Sequence, residues 1–134
     1  AFGAVGETAA ESELLYVGFW TDKGNADADT LALLRALKNK RLFLFGTAGF
    51  GVDTAYFDAI LARVQAVPDG SNTVIGTYMC QGKMPPSVRA RYEAMRARPA
   101  PPENMDARIE NFDRARTHPD ADDRDRLRAE VLHA

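Results

Sequence analysis

Hydrophobic residues gather in three short, nearly unbroken runs, at residues 14–20 (Leu-Leu-Tyr-Val-Gly-Phe-Trp), 41–46 (Arg-Leu-Phe-Leu-Phe-Gly) and 73–79 (Thr-Val-Ile-Gly-Thr-Tyr-Met). A strand with one wet face alternates apolar and polar residues. Runs like these predict strands covered on both faces, as in a parallel sheet wrapped by helices. Between them the spacing becomes helical. Over residues 27–38, Leu31, Leu34 and Leu37 recur at helical intervals, with Asn25, Asp27 and Asp29 as candidate N-caps. Over residues 54–66, Phe57, Ile60, Leu61 and Val64 share a face, Asp53 is placed to cap it, and Pro68-Asp69-Gly70 closes it as a turn. Over residues 85–98, Val88, Tyr92 and Met95 align, and Pro85 or Pro86 suits a first turn that needs no amide donor. Strand and helix repeated three times predict an α/β fold, a three-layer parallel sheet with helices on both faces. Residues 2–6 are a candidate for one further short strand.

The pattern weakens after Arg98. Pro99, Pro101 and Pro102 break the chain, and a charged tail follows. The expected organisation is an α/β core over residues 1–98 and a helical extension over residues 99–134. Met105, Ile109 and Phe112 stripe a helix over residues 103–117, which His118-Pro119 ends. A last helix starts near Asp120, with Leu127, Val131 and Leu132 on one side. Stripes this thin predict docking on the core or on a partner chain, not independent folding. Asp120, Asp122, Asp123 and Asp125 alternate with arginine and read as a solvated helix face.

Composition narrows the function classes. The 134 residues are enough for one hydrophobic core. With 17 Lys and Arg against 19 Asp and Glu, the net charge of -2 lacks the basic footprint of general nucleic-acid binding. No apolar run approaches the roughly 20 residues of a bilayer span, and no signal-peptide pattern opens the chain. The expectation is a cytoplasmic protein away from the membrane. A single cysteine, Cys80, excludes an internal disulfide and a cysteine-based zinc site. It reads as a small buried hydrophobe, with a redox thiol as the alternative. His118 and His133 show no metal-ligand spacing, and no Ser-His-Asp or paired-carboxylate arrangement stands out. The chain begins at Ala1, which fits a processed chain or a piece of a longer one.

Ligands of an open parallel sheet sit beyond the carboxyl ends of its strands. The segments there run over residues 18–25, 46–53 and 78–83, all rich in glycine and small polar residues. Trp20 reads either as a stacking face or as the rim of the core. Gly46, Gly49 and Gly51 read as tight turns or as a backbone brought close to a ligand. Phe50, set between two glycines with little core to join, leans towards function. Tyr78 reads as structural, and Lys23 and Lys83 as solvated or as reaching a phosphate or ring carbonyl.

Three segments carry a resemblance: Gly18-Phe19-Trp20-Thr21-Asp22-Lys23-Gly24, Phe45-Gly46-Thr47-Ala48-Gly49-Phe50-Gly51 and Met79-Cys80-Gln81-Gly82-Lys83-Met84-Pro85. Together they resemble the bacterial flavodoxin family over nearly the whole chain. The resemblance implies flavin mononucleotide (FMN) held at the strand tips, with Trp20 and Phe50 as stacking faces. Gly46, Thr47, Gly49 and Gly51 would then offer backbone contacts, and Thr21 and Asp22 edge contacts. A flat polarizable ring gains from aromatic faces. Acidic neighbours such as Asp22 and Asp53 would disfavour the anionic reduced ring and lower its potential. The implied role is an electron carrier for a partner reductase, and no substrate chemistry of its own is implied.

The sequence departs from the family in one place. Flavodoxins open with a strand and a Ser/Thr-Gly loop that cradles the phosphate through backbone amides, and no such loop precedes Leu14. In the strand order 2-1-3-4-5 the missing strand is central, leaving the first clear strand with an open apolar edge. Three readings follow: a fragment, a homo-oligomer in which another chain covers the edge, or an interaction domain that has lost FMN. A small flavin-dependent reductase with Cys80 near the ring is a further functional reading. The expectation for these 134 residues alone is weak FMN binding or none.

Overall fold

The computed structural model describes residues 11–51 and 54–134. The candidate strand over residues 2–6 and the proposed cap and charge of Asp53 lie outside the described residues. Strands β1 (Leu14–Asp22), β3 (Arg41–Ala48) and β4 (Thr73–Gln81) form the parallel ladder that the apolar runs predict, and β2 (Asn25–Ala26) adds a short antiparallel edge. The sheet order is β2-β1-β3-β4. Its three long strands lie side by side in chain order, as the last three strands do in the order 2-1-3-4-5. The fold is flavodoxin-like α/β.

Alternation sorts the strand residues between two faces. Val17, Phe19, Leu42, Leu44 and Met79 meet helices α1 (Ala28–Ala36) and α2 (Thr54–Gln65), whose Leu34, Ile60 and Val64 are fully buried. These are the helical positions that periodicity selects, with Leu37 buried just past the end of α1. The opposite face carries Tyr16, Phe43 and Tyr78. Phe43 is completely buried there, with the Tyr16 ring tilted against it at 5.9 Å.

Helix α3 (Pro86–Arg96) starts with Pro86 in its first turn, and packs through Tyr92, Val88 and Met95 on Met105 and Ile109 of α4 (Met105–Ala115). Helix α5 (Ala121–His133) docks on β4, where the Tyr78 hydroxyl donates to the Asp123 carbonyl at 2.9 Å. The extension is therefore seated on the core.

The acidic run at the start of α5 is more than a solvated face, which corrects that expectation. Asp120 accepts from the Asp123 amide and Asp123 from the Asp120 amide, each at 2.9 Å, closing a reciprocal cap. Four amides at a helix start lack helical partners, and short acidic side chains satisfy them. Asp122 keeps a surface role, pairing with Arg126 one turn on.

The first strand is expected to have an open apolar edge. Among the described residues the outer edge of β1 is paired by β2 at Thr21 and Asp22, and Trp20 there is bonded to Asp27. No helix among the described residues is long and apolar enough to cross a membrane.

Candidate functional site

Each strand runs two residues further than its apolar run. Trp20 and Gly46 lie in strands, as their apolar runs predict; Thr21, Asp22 and Thr47 are strand residues too, not loop residues as first read, and of the candidates only Gly49, Phe50 and Gly51 lie in a loop. The cause at β1 is a two-residue hairpin. Lys23 and Gly24 both have positive φ (52° and 80°), which turns the chain back so that Thr21 pairs with Ala26 and Asp22 with Asn25. The Arg63 guanidinium fixes the turn by donating to the Gly24 carbonyl at 2.7 Å. At β3 the ladder continues to Ala48 opposite Gln81.

Because β1 and β3 are parallel and Trp20 pairs with Thr47, Trp20 and the loop following Ala48 share one end of the sheet. Trp20 is 60% exposed and Phe50 44% exposed, unusual values for large apolar residues at neighbouring strand tips. Neither belongs to the buried core. Phe50 is supported edge-on by Tyr56 of α2, at 6.4 Å and 89°. Trp20 is fixed through its backbone: its carbonyl accepts from the Asp27 amide at 3.1 Å, and its amide donates to Asp27 Oδ1 at 3.4 Å. Asp27 is buried and also caps α1, accepting from the Thr30 amide at 3.2 Å and hydroxyl at 2.9 Å. Of the three candidate caps it is the one used, and its second task, holding Trp20, carried no sequence signal.

The remaining candidates divide. Gly46 is buried, and a side chain there would meet the Phe19 ring at 2.3 Å, so its missing side chain serves core packing. Thr47 is half-buried and pairs with Cys80. Asp22 is exposed beside the hairpin turn. Thr21 Oγ1 is buried with no hydrogen-bond partner among the described residues; strand alternation points it to the face opposite Trp20. Gly49 and Gly51 admit close neighbours: a Cβ at Gly49 would lie 2.4 Å from Met84 Sδ, and one at Gly51 2.4 Å from Gln81 Cβ. Lys23 and Lys83 are exposed.

Cys80 is buried beside Tyr78. Burial chiefly, with the nearby Asp123 charge, pushes its thiol up to about 11, and burial likewise pushes the Tyr78 hydroxyl up to about 12. A thiol so protonated is a poor nucleophile at neutral pH.

His118, Asp120 and Asp123 bring ligand-capable atoms within 4.8 Å of one another, a grouping that ligand spacing did not reveal. Their polar atoms already serve the cap: His118 Nδ1 lies 2.6 Å from Asp123 Oδ2. Burial pulls the Asp123 carboxyl up, but hydrogen bonds from His118 and Asp120 outweigh it and hold the group below its ordinary value.

The exposed aromatic pair and the close-set glycine loop fit a planar ring at this end of the sheet. Among the described residues they supply no glycine-rich cradle for its phosphate.

Relatives agree with the architecture. The protein named flavodoxin-like domain-containing protein BilS of Clostridium symbiosum (strain WAL-14163) is 41% identical over 128 residues, covering 90% of this chain and 66% of the relative. Its namesake in Clostridioides difficile (strain CD3) is 28% identical over 108 residues, covering 81% of this chain and 61% of the relative. The chain thus spans less than two thirds of the length of either. The profile of the family described as Flavodoxin domain matches residues 2–131. With the parallel ladder and its sheet order, that match shows that the chain belongs to the flavodoxin domain family.

Proposed function

We propose that the protein binds FMN at the tips of β1 and β3 and carries electrons to a partner redox protein in the cytoplasm. The observation that carries this reading is the exposure of Trp20 and Phe50 at the same end of two adjacent parallel strands. A flat apolar surface there gains when a planar ring covers it. Bound FMN would supply one- and two-electron chemistry. The chain's own residues would stack on the ring, exclude water from its faces and present backbone donors to its polar edge. No role is given to Cys80, whose thiol is buried and pushed up to about 11 by that burial.

The test is to titrate FMN into the chain at equilibrium and read flavin fluorescence, which detects the weak binding expected of these 134 residues. Reduction followed by electron transfer to an artificial acceptor in the presence of excess FMN then checks the carrier role. Saturable flavin binding with electrons passed on supports the proposal. No saturable binding contradicts it and leaves the reading as an interaction domain that has lost FMN.

A further inference from the structure

The loop that carries Phe50 is held from beneath by two side-chain amides. The Gly49 carbonyl accepts from Gln81 Nε2 at 3.0 Å and from Asn111 Nδ2 at 2.9 Å. The second hydrogen of Gln81 Nε2 donates to Asn111 Oδ1 at 3.1 Å, closing a ring of three polar groups. Turning either amide over would set oxygen against oxygen, so the network fixes both orientations. Gln81 ends β4, and Asn111 lies on α4, 62 residues from Gly49 along the chain.

Asn111 is an unexpected residue for its place. It is 7% exposed, on a face otherwise built of Met105, Ile109, Phe112 and Ala115. Asparagine is a mediocre helix former, and burying its amide is costly unless it is hydrogen-bonded. An apolar residue would serve packing alone, so the amide serves the loop carbonyl.

That carbonyl sets the direction of the next amide. In a trans peptide the C=O and the following N–H point in opposite directions. Holding Gly49 O inward, against Gln81 and Asn111, turns the Phe50 N–H outward. The loop cannot slide away from this arrangement easily, because Gly49 rests on Met84 and Gly51 on Gln81.

We infer that Asn111 and Gln81 are positioning residues: they lock the Gly49–Phe50 peptide so that the Phe50 amide is presented as a donor to the polar edge of a flavin ring at the strand tips. The inference rests on the flavin reading above, and assigns to the C-terminal extension a part in shaping the site.

The experiment uses the full chain, labelled with 15N, and riboflavin, which has the ring without the phosphate. The variants are Asn111→Asp, which keeps the acceptor and loses the donor to Gly49, and Gln81→Met, which keeps the volume. The expected results are a Phe50 amide resonance that shifts on riboflavin addition in the wild type, and a roughly fivefold to tenfold weaker affinity in each folded variant, the size of one lost hydrogen bond. In the variants the Phe50 shift should shrink or vanish, a readout that loss of packing alone would not move. If Asn111→Asp does not fold, Gln81→Met at the strand end decides alone. Wild-type affinity and an unchanged Phe50 response in the folded variants would overturn the inference and leave flavin binding intact. Weakened binding beside a Phe50 amide that never responds in the wild type overturns it too. No riboflavin binding in the wild type defeats both this inference and the flavin reading.

Discussion

Replacing both Trp20 and Phe50 with alanine separates binding from folding. An aromatic pair contributes about 0.5–1.5 kcal/mol beyond its buried area. Removing two stacking faces should therefore cost about 1–3 kcal/mol, or roughly a 5- to 150-fold rise in the riboflavin dissociation constant. Stability should hardly change at Trp20, because its ring is 60% exposed and its anchorage to Asp27 runs through the backbone; surface changes of that kind stay within about 0.5 kcal/mol. Phe50 adds the loss of its edge-on contact with Tyr56, about another 0.5–1 kcal/mol. The control is Phe43→Ala. Phe43 is completely buried, so its truncation should cost about 3–5 kcal/mol. Riboflavin titration and urea unfolding of the same samples give both numbers. Unchanged affinity in the double variant would refute the stacking role. A stability loss as large as that of Phe43→Ala would show that the two rings belong to the core.

Three further outcomes follow from individual residues. Thr21→Val removes a buried hydroxyl that has no partner among the described residues; it should raise the unfolding free energy by up to about 1–3 kcal/mol, the cost of an unmet polar group, and a loss of stability would show that the hydroxyl is bonded. Asp120→Ala removes the cap of α5 and should cost about 0.5–2 kcal/mol in urea unfolding, whereas no change would show that the cap is idle. Burial raises the Cys80 thiol from 9.0 to about 11, so the folded state keeps a proton that the unfolded state loses first. Its contribution is complete below pH 9 and is lost as pH rises towards about 11. Unfolding free energy should therefore fall across that window, with a shallower fall in Cys80→Ala, and alkylation at pH 8.5 should be slow until urea is added; rapid native alkylation would contradict the burial.

Much of the fold was legible because its signals are local. The unbroken apolar runs gave the three long strands, and Ile60, Leu61 and Val64 gave the buried face of α2. Strand ends were read short because Thr21-Asp22, Thr47-Ala48 and Cys80-Gln81 are polar or small, and what extends them is pairing with other segments. The β2 hairpin was missed since Lys23-Gly24 lacks the usual Asn-Gly or Asp-Gly pair, although Asp22 and Asn25 flank it. Trp20 and Phe50 were visible as aromatics beside glycine-rich strand ends. Their supports were not. Asn111 reaches Gly49 across 62 residues, and a pattern of apolar spacing cannot announce a buried amide. The same limit hid the double duty of Asp27 and the cap between Asp120 and Asp123, because composition counts charges and does not say which of them face a helix end.

Trp20 is the only tryptophan in the chain, so its fluorescence reports directly on the proposed stacking face. Titrating riboflavin into the full chain should quench Trp20 emission in step with quenching of the flavin's own fluorescence, both following one single-site binding curve. Trp20 emission that stays constant while flavin binds would place the ring elsewhere, and constant emission with no flavin bound would remove it altogether.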